Sequence, residues 1–194
     1  MSALDIRTAR ALAVVGLVLL GAACSDDPPE ASGPTTAAAD AVDDHADHAE
    51  TVEVGAVDFS FEDLPDRIPA GTRLTLENRA STELHELVAF RLDDDERRPV
   101  EELLQLPPAE LGALLGAAPP RTVLLAAPGE EQIPAVGDGT LDEPGRYLIM
   151  CSIPTGVDPA TYLAAAAAAG GQQPQVEGGP PHFVHGMAAE LVVE

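Results

Sequence analysis

The sequence predicts an all-β sandwich with short helical insertions. Two observations carry that class. Short runs either alternate apolar with polar side chains or are apolar throughout, and turn residues bound each one. About six or seven such strands fall between Thr51 and Glu194, the density of turns and strands that a two-sheet sandwich shows.

The elements follow in order. Val52 and Val54 alternate with polar neighbours, and Val57, Phe59 and Phe61 alternate in the opposite phase. The slip at Gly55-Ala56 predicts a β-bulge. Pro69-Ala70-Gly71 is turn material, and Arg73–Glu77 is a half-buried strand. Leu84–Leu92 is apolar in both phases, as a central strand is. Residues 98–117 form a helical insertion in two pieces, the second starting near Pro108, whose leucines recur at helical spacing and pack on the sheet. Arg121–Ala127 is another strand. The chain is then Pro- and Gly-rich up to the Glu143-Pro144-Gly145 turn. Arg146–Cys151 places Tyr147, Ile149 and Cys151 on one face. A last strand ends the chain, with Met187 in phase with Ala189, Leu191 and Val193.

Chemistry concentrates near the C-terminus. Cys151 ends one strand, and Pro181-His182-Phe183-Val184-His185-Gly186-Met187 leads into the next. His85 opens the central strand. A thiol, two imidazoles and a distant thioether are the donors of a blue-copper electron-transfer site. Singly, each has a plain structural role available: a hydrogen-bonded strand-end histidine, a surface loop histidine, a buried small thiol or a core methionine. Jointly those roles are weaker, because residues 51–194 hold three histidines, one cysteine and two methionines, and four of these fall where such a site needs them. His185 is left as an exposed loop residue.

The N-terminal end reads differently. Arg7 and Arg10 precede an apolar run, Ala11 to Ala23, too short to span a bilayer as a helix. Leu20-Gly21-Ala22-Ala23-Cys24 resembles a bacterial lipobox, although Gly21 stands where Leu is usual. Residues 1–23 are therefore expected to be a signal peptide with Cys24 as the lipidation site, the alternative being an ordinary cleaved signal followed by a chance cysteine. Residues 24–50, rich in Asp, Ala, Pro and Gly, form a flexible acidic tether. Its Asp43–Glu50 tract, with His45 and His48, is a solvated spacer with at most loose metal affinity. The predicted location is extracytoplasmic, anchored to the cell membrane.

The net charge is −23, and every basic residue is Arg. No basic patch or aromatic platform exists for nucleic acid, so that class is excluded. The acidity suits a soluble domain that steers a basic partner.

Residues 51–194 resemble a cupredoxin of the plastocyanin/azurin type. The resemblance lies in Asn78 and His85 opening a strand, in Tyr147-x-x-x-Cys151, and in His182-x-x-x-Gly186-Met187. Val57–Phe61 and Ile68–Gly71 are also similar. It implies a cupredoxin-like Greek-key β-sandwich binding copper, with His85, Cys151 and His182 as strong equatorial ligands and Met187 as the weak axial one. Glu86 departs from the family, which has Asn after the first histidine. The 30 residues between Cys151 and His182 depart more, since the family keeps the two close. They comprise an Ala-rich helix (Asp158–Ala169) and a flexible run, and residues 154–181 are read as an insertion in the ligand loop. Loop closure costs about 0.6 kcal/mol per doubling of length, hence about 1–2 kcal/mol here. Thiolate–imidazole metal binding is worth about 10 kcal/mol.

Three functions are open at this point. The chain is a tethered one-electron carrier, a copper-binding or delivery protein without redox duty, or a metal-free interaction domain. Its partner is an unidentified redox or copper-exchange protein. An enzyme is not expected: Cys151 with a histidine suggests a thiol nucleophile, but no Asn or Asp orients the base, and no helix N-terminus activates the thiol.

Overall fold

The computed structural model describes residues 50–194. The proposed signal (1–23) and nearly all of the tether (24–50), with Cys24, His45 and His48, lie outside the described residues. Among the described residues no helix is long and apolar enough to cross a membrane.

Among the described residues ten strands form two sheets. The first has the order β2-β1-β4-β8, from β1 (Thr51–Val57), β2 (Ser60–Glu62), β4 (Thr72–Asn78) and β8 (Thr140–Leu141). The second has the order β3-β10-β9-β5-β6-β7, from β3 (Arg67–Ile68), β5 (His85–Arg91), β6 (Thr122–Ala126), β7 (Ile133–Val136), β9 (Gly145–Met150) and β10 (Ala188–Val193). Period-2 alternation decides which side chains meet between them. Val54, Ala56, Leu74 and Leu76 of the first sheet share one core with Leu87, Ala89, Tyr147, Ile149 and Leu191 of the second. Both sheets mix parallel and antiparallel pairs. This is the two-sheet β-sandwich expected.

Helices cover the outer face of the larger sheet. α1 (Val100–Leu103) and α2 (Pro108–Leu115) occupy the predicted insertion. Val88, Leu148 and Met150 of the sheet form a second apolar cluster with Val100 and Leu103. β5 and β9 are thus buried on both faces, which is why they read as continuous apolar runs. α3 (Pro159–Ala169) starts where Asp158 caps it, accepting a hydrogen bond from the Thr161 N–H at 2.8 Å.

Two expectations need correction. No bulge exists at Gly55-Ala56: β1 pairs with β4 without a break from Thr51 to Ala56. The change of phase comes from a tight hairpin, Val57 pairing with Ser60, with Phe59 at φ 63°. Gly55 lies beneath the Arg79 guanidinium, where a Cβ would collide. The Pro- and Gly-rich stretch after Pro128 also contains β7 and β8. β7 is an edge strand, the one place a sheet admits Pro134.

Candidate metal centre

Strand direction brings the donors to one pole. β5 and β9 are antiparallel neighbours, so the start of one lies beside the end of the other. His85 opens β5, and Cys151 follows the last residue of β9. β10 pairs with β9, Ala188 opposite Met150, which sets Met187 beside Cys151. The Cys151 N–H donates to the Met187 carbonyl at 3.1 Å, and the Cys151 carbonyl accepts from Phe183 N–H at 2.9 Å. His182 opens a single 3₁₀ turn, His182–His185, which ends at Gly186 with φ 111°. That left-handed residue lets the chain reverse into β10. Asn78 fixes the approach to His85: its amide donates to the Glu83 and Ala126 carbonyls at 2.9 and 2.7 Å.

The long insertion does not separate Cys151 from His182. Pro154 and Pro181 form an antiparallel bridge. Thr155 N–H donates to the Pro180 carbonyl at 3.1 Å, Gly179 N–H to the Thr155 carbonyl at 2.9 Å, and His182 N–H to the Ile153 carbonyl at 3.0 Å. The excursion is stapled at its stem, so the ligand loop closes as though it were short.

His85, Cys151 and His182 are fully buried, and one donor atom from each lies within 4.8 Å of the others. His182 Nδ1 is 3.3 Å from Cys151 Sγ and 3.2 Å from His85 Nδ1. Two atoms bonded to one ion at about 2.0–2.3 Å are separated by about this much. Both Nε2 atoms are buried without hydrogen-bond partners, so the rings aim their Nδ1 atoms at the common point. Burial, then repulsion from His182, lowers His85 to a pKa of about 4. Burial lowers His182 also, against an opposing pull from Glu83. Burial and the charge of Glu86 raise the Cys151 thiol well above its usual range. The imidazoles are therefore neutral near pH 7, the form that binds metal, and a bound metal would displace the thiol proton.

The structure also shows what surrounds His182. Its ring meets the edge of Phe59 at a centroid distance of 5.1 Å. Glu83 Oε2 lies 3.5 Å from Nε2 without making a hydrogen bond, and it accepts from Gly156 N–H at 3.2 Å. Sequence reasoning missed Phe59 and Glu83 here. The insertion reaches this edge through Gly156, which donates to Glu83; Phe59 comes from the β1–β2 hairpin. His185 is exposed, outside the donor cluster, and its ring lies 4.9 Å from Phe59.

Glu86, the departure from the family pattern, is buried behind the site. Its N–H points at Cys151 Sγ at 3.4 Å. Its carboxylate accepts from Ser152 N–H at 2.9 Å, from the Ser152 hydroxyl, and from the Tyr162 hydroxyl at 3.3 Å. It therefore joins β5 to the ligand loop and also to α3. The signal available in the sequence was a lone acid inside an apolar central strand.

Met187 is fully buried in the core between the sheets, one backbone hydrogen bond from Cys151. Fold and site together define a two-sheet β-sandwich whose two imidazoles and thiol fit a copper cofactor.

No protein-family model matches the chain, and no curated protein matches it. Among solved structures it is similar to a sodium-dithionite-reduced auracyanin from Roseiflexus castenholzii, at 16% identity and a TM-score of 0.39, covering 74% of this chain and 96% of that one. It is also similar to auracyanin A, a "blue" copper protein of Chloroflexus aurantiacus, at 16% identity and a TM-score of 0.38, covering 74% and 98%.

Proposed function

We propose that the protein is a one-electron carrier with a type 1 copper site, held outside the cytoplasm by a lipid on Cys24. His85, Cys151 and His182 would hold the copper, with Met187 as a fourth ligand. The observation that carries this reading is the convergence of two Nδ1 atoms and one thiol in a fully buried pocket. Copper supplies the Cu(II)/Cu(I) couple. The chain fixes the donors: Cys151 is hydrogen-bonded through its N–H and carbonyl to the His182–Met187 segment, and two core faces exclude water. The fold limits how far the donors move between oxidation states. The net charge of −23 favours a basic redox partner.

A second reading, copper delivery without redox duty, is favoured by the burial of His182. Exposed Val184 and half-buried Phe59 and Phe183 place an apolar surface beside it, which supports electron exchange through Phe59. No catalytic role is proposed.

Adding Cu(II) to the protein should produce an intense thiolate-to-copper visible band, absent in Cys151→Ser. Reversible reduction and reoxidation with copper retained supports the carrier. A colourless protein, or one that loses copper on each reduction, overturns it.

A further inference from the structure

A groove of about 790 Å³ lies on the outer face of the larger sheet, within the size range of small-molecule sites. Its position follows from strand alternation. His85 and Cys151 point into the core between the sheets, so Glu86, Met150 and Ser152 point the other way, into the groove. Pro181 and Phe183, on either side of His182, also line it. The immediate neighbours of all three donors thus form one wall. Leu104 and Leu111 of the helical insertion form another, and Tyr162 and Ala166 of α3 close the far end.

The lining specifies an occupant. Most of it is apolar, with the rings of Phe90 and Phe183 among the side chains. No Arg or His is present, so an anion would find no counter-charge in a strongly acidic protein. Polar groups gather at the α3 end: the Glu86 carboxylate, the hydroxyls of Ser152 and Tyr162, and the Gln173 amide, which donates to Ser152 Oγ at 3.2 Å. A carboxylate has about four acceptor positions. Glu86 fills three, with Ser152 N–H, the Ser152 hydroxyl and the Tyr162 hydroxyl. An ionised carboxylate would have one acceptor position left for a ligand donor.

We infer that this groove binds a neutral lipophilic phenol, a class that includes hydroquinones. The hydroxyl donates toward Glu86, and the ring and alkyl body lie between the sheet and the α1–α2 segment. The inference concerns the outer face of the sheet and does not require copper to bind.

The test uses the full chain without added metal. 4-Butylphenol is titrated while backbone amide shifts are followed by NMR, with 4-butylanisole, which lacks the donor, run in parallel. Saturable shifts are expected at Ser152, Phe183 and Leu111, with the anisole at least tenfold weaker. Gly112 lines the groove and has open space where its Cβ would be. Gly112→Phe should fill the groove and weaken phenol binding at least tenfold. Ala135→Phe, on the β7 wall, should do the same, which guards against a local effect on α2. No saturable shift up to the solubility limit overturns the inference. So do equal affinity for the anisole and unchanged binding in both variants.

Discussion

Pro154 and Pro181 pair across the base of a long excursion, so the chain leaves and rejoins the ligand loop at one point. The bridge explains how Cys151 and His182, 31 positions apart, stand 3.3 Å from each other. The insertion is an appendage on the site rather than a spacer within it.

Replacing residues 157–177 by a short Gly-Ser turn should therefore leave the donors assembled. The copper band is expected to survive. Stability should fall by about 3–5 kcal/mol, as when a large buried aromatic is lost, because Tyr162 leaves the core. Urea unfolding and the visible spectrum check the two halves separately. Loss of the band with the fold retained would make the insertion part of the site.

Met187 fills core space as well as offering sulfur. Met187→Leu conserves volume and should cost less than about 1.5 kcal/mol. With copper bound, the visible spectrum and the reduction potential should both change while the metal stays in place, since the axial ligand tunes the potential. An unchanged spectrum and potential would remove Met187 from the ligand set.

Glu83 places a carboxylate beside the buried Nε2 of His182. A negative charge at that distance favours the more highly charged oxidation state of a bound metal. Glu83→Gln should raise the reduction potential of the copper-loaded protein, with little change in thermal stability. Equal potentials in redox titration would show that the carboxylate is too well solvated to act.

Glu190 and Arg146 form a two-pronged pair across β10 and β9, with Nε donating to Oε1 at 3.1 Å and Nη2 to Oε2 at 2.6 Å. The Arg146 hydrogen bond lowers the Glu190 pKa. A carboxylate depressed in the folded state stabilises above its unfolded pKa of about 4.3, and that contribution disappears as pH falls through the lower folded value. Glu190→Gln should cost up to about 1 kcal/mol at pH 7, as partly exposed pairs do. The gap should begin to narrow below about pH 4 and keep shrinking as pH falls further. Chemical denaturation at pH 7 and pH 3.5 checks both; an equal gap at the two values would mean that the loss is packing, not charge.

Much of the fold was legible because its signals are local. Alternation in Thr72–Asn78, the doubly apolar His85–Arg91, the leucine spacing of the 98–117 insertion and the Ala-rich run before Ala169 need only near neighbours to be read. The phase change after Ala56 misled because a two-residue turn and a bulge shift alternation in the same way, and only the partner strand tells them apart. β7 and β8 were hidden because an edge strand tolerates proline and short length, features that otherwise argue against a strand.

The sequence by itself determined the stock of donors and the strands that carry them: one thiol, few histidines, and apolar runs ending at Cys151 and beginning at His85 and Met187. Those depend on residue type and short spacing. Tertiary structure alone decided that the insertion closes on itself through Pro154 and Pro181, that Phe59 and Glu83 flank His182, and that Glu86 ties the ligand loop to Tyr162. Each of these is a contact between residues far apart along the chain, set by how the sheets pack, and local composition does not encode which distant partner a side chain meets.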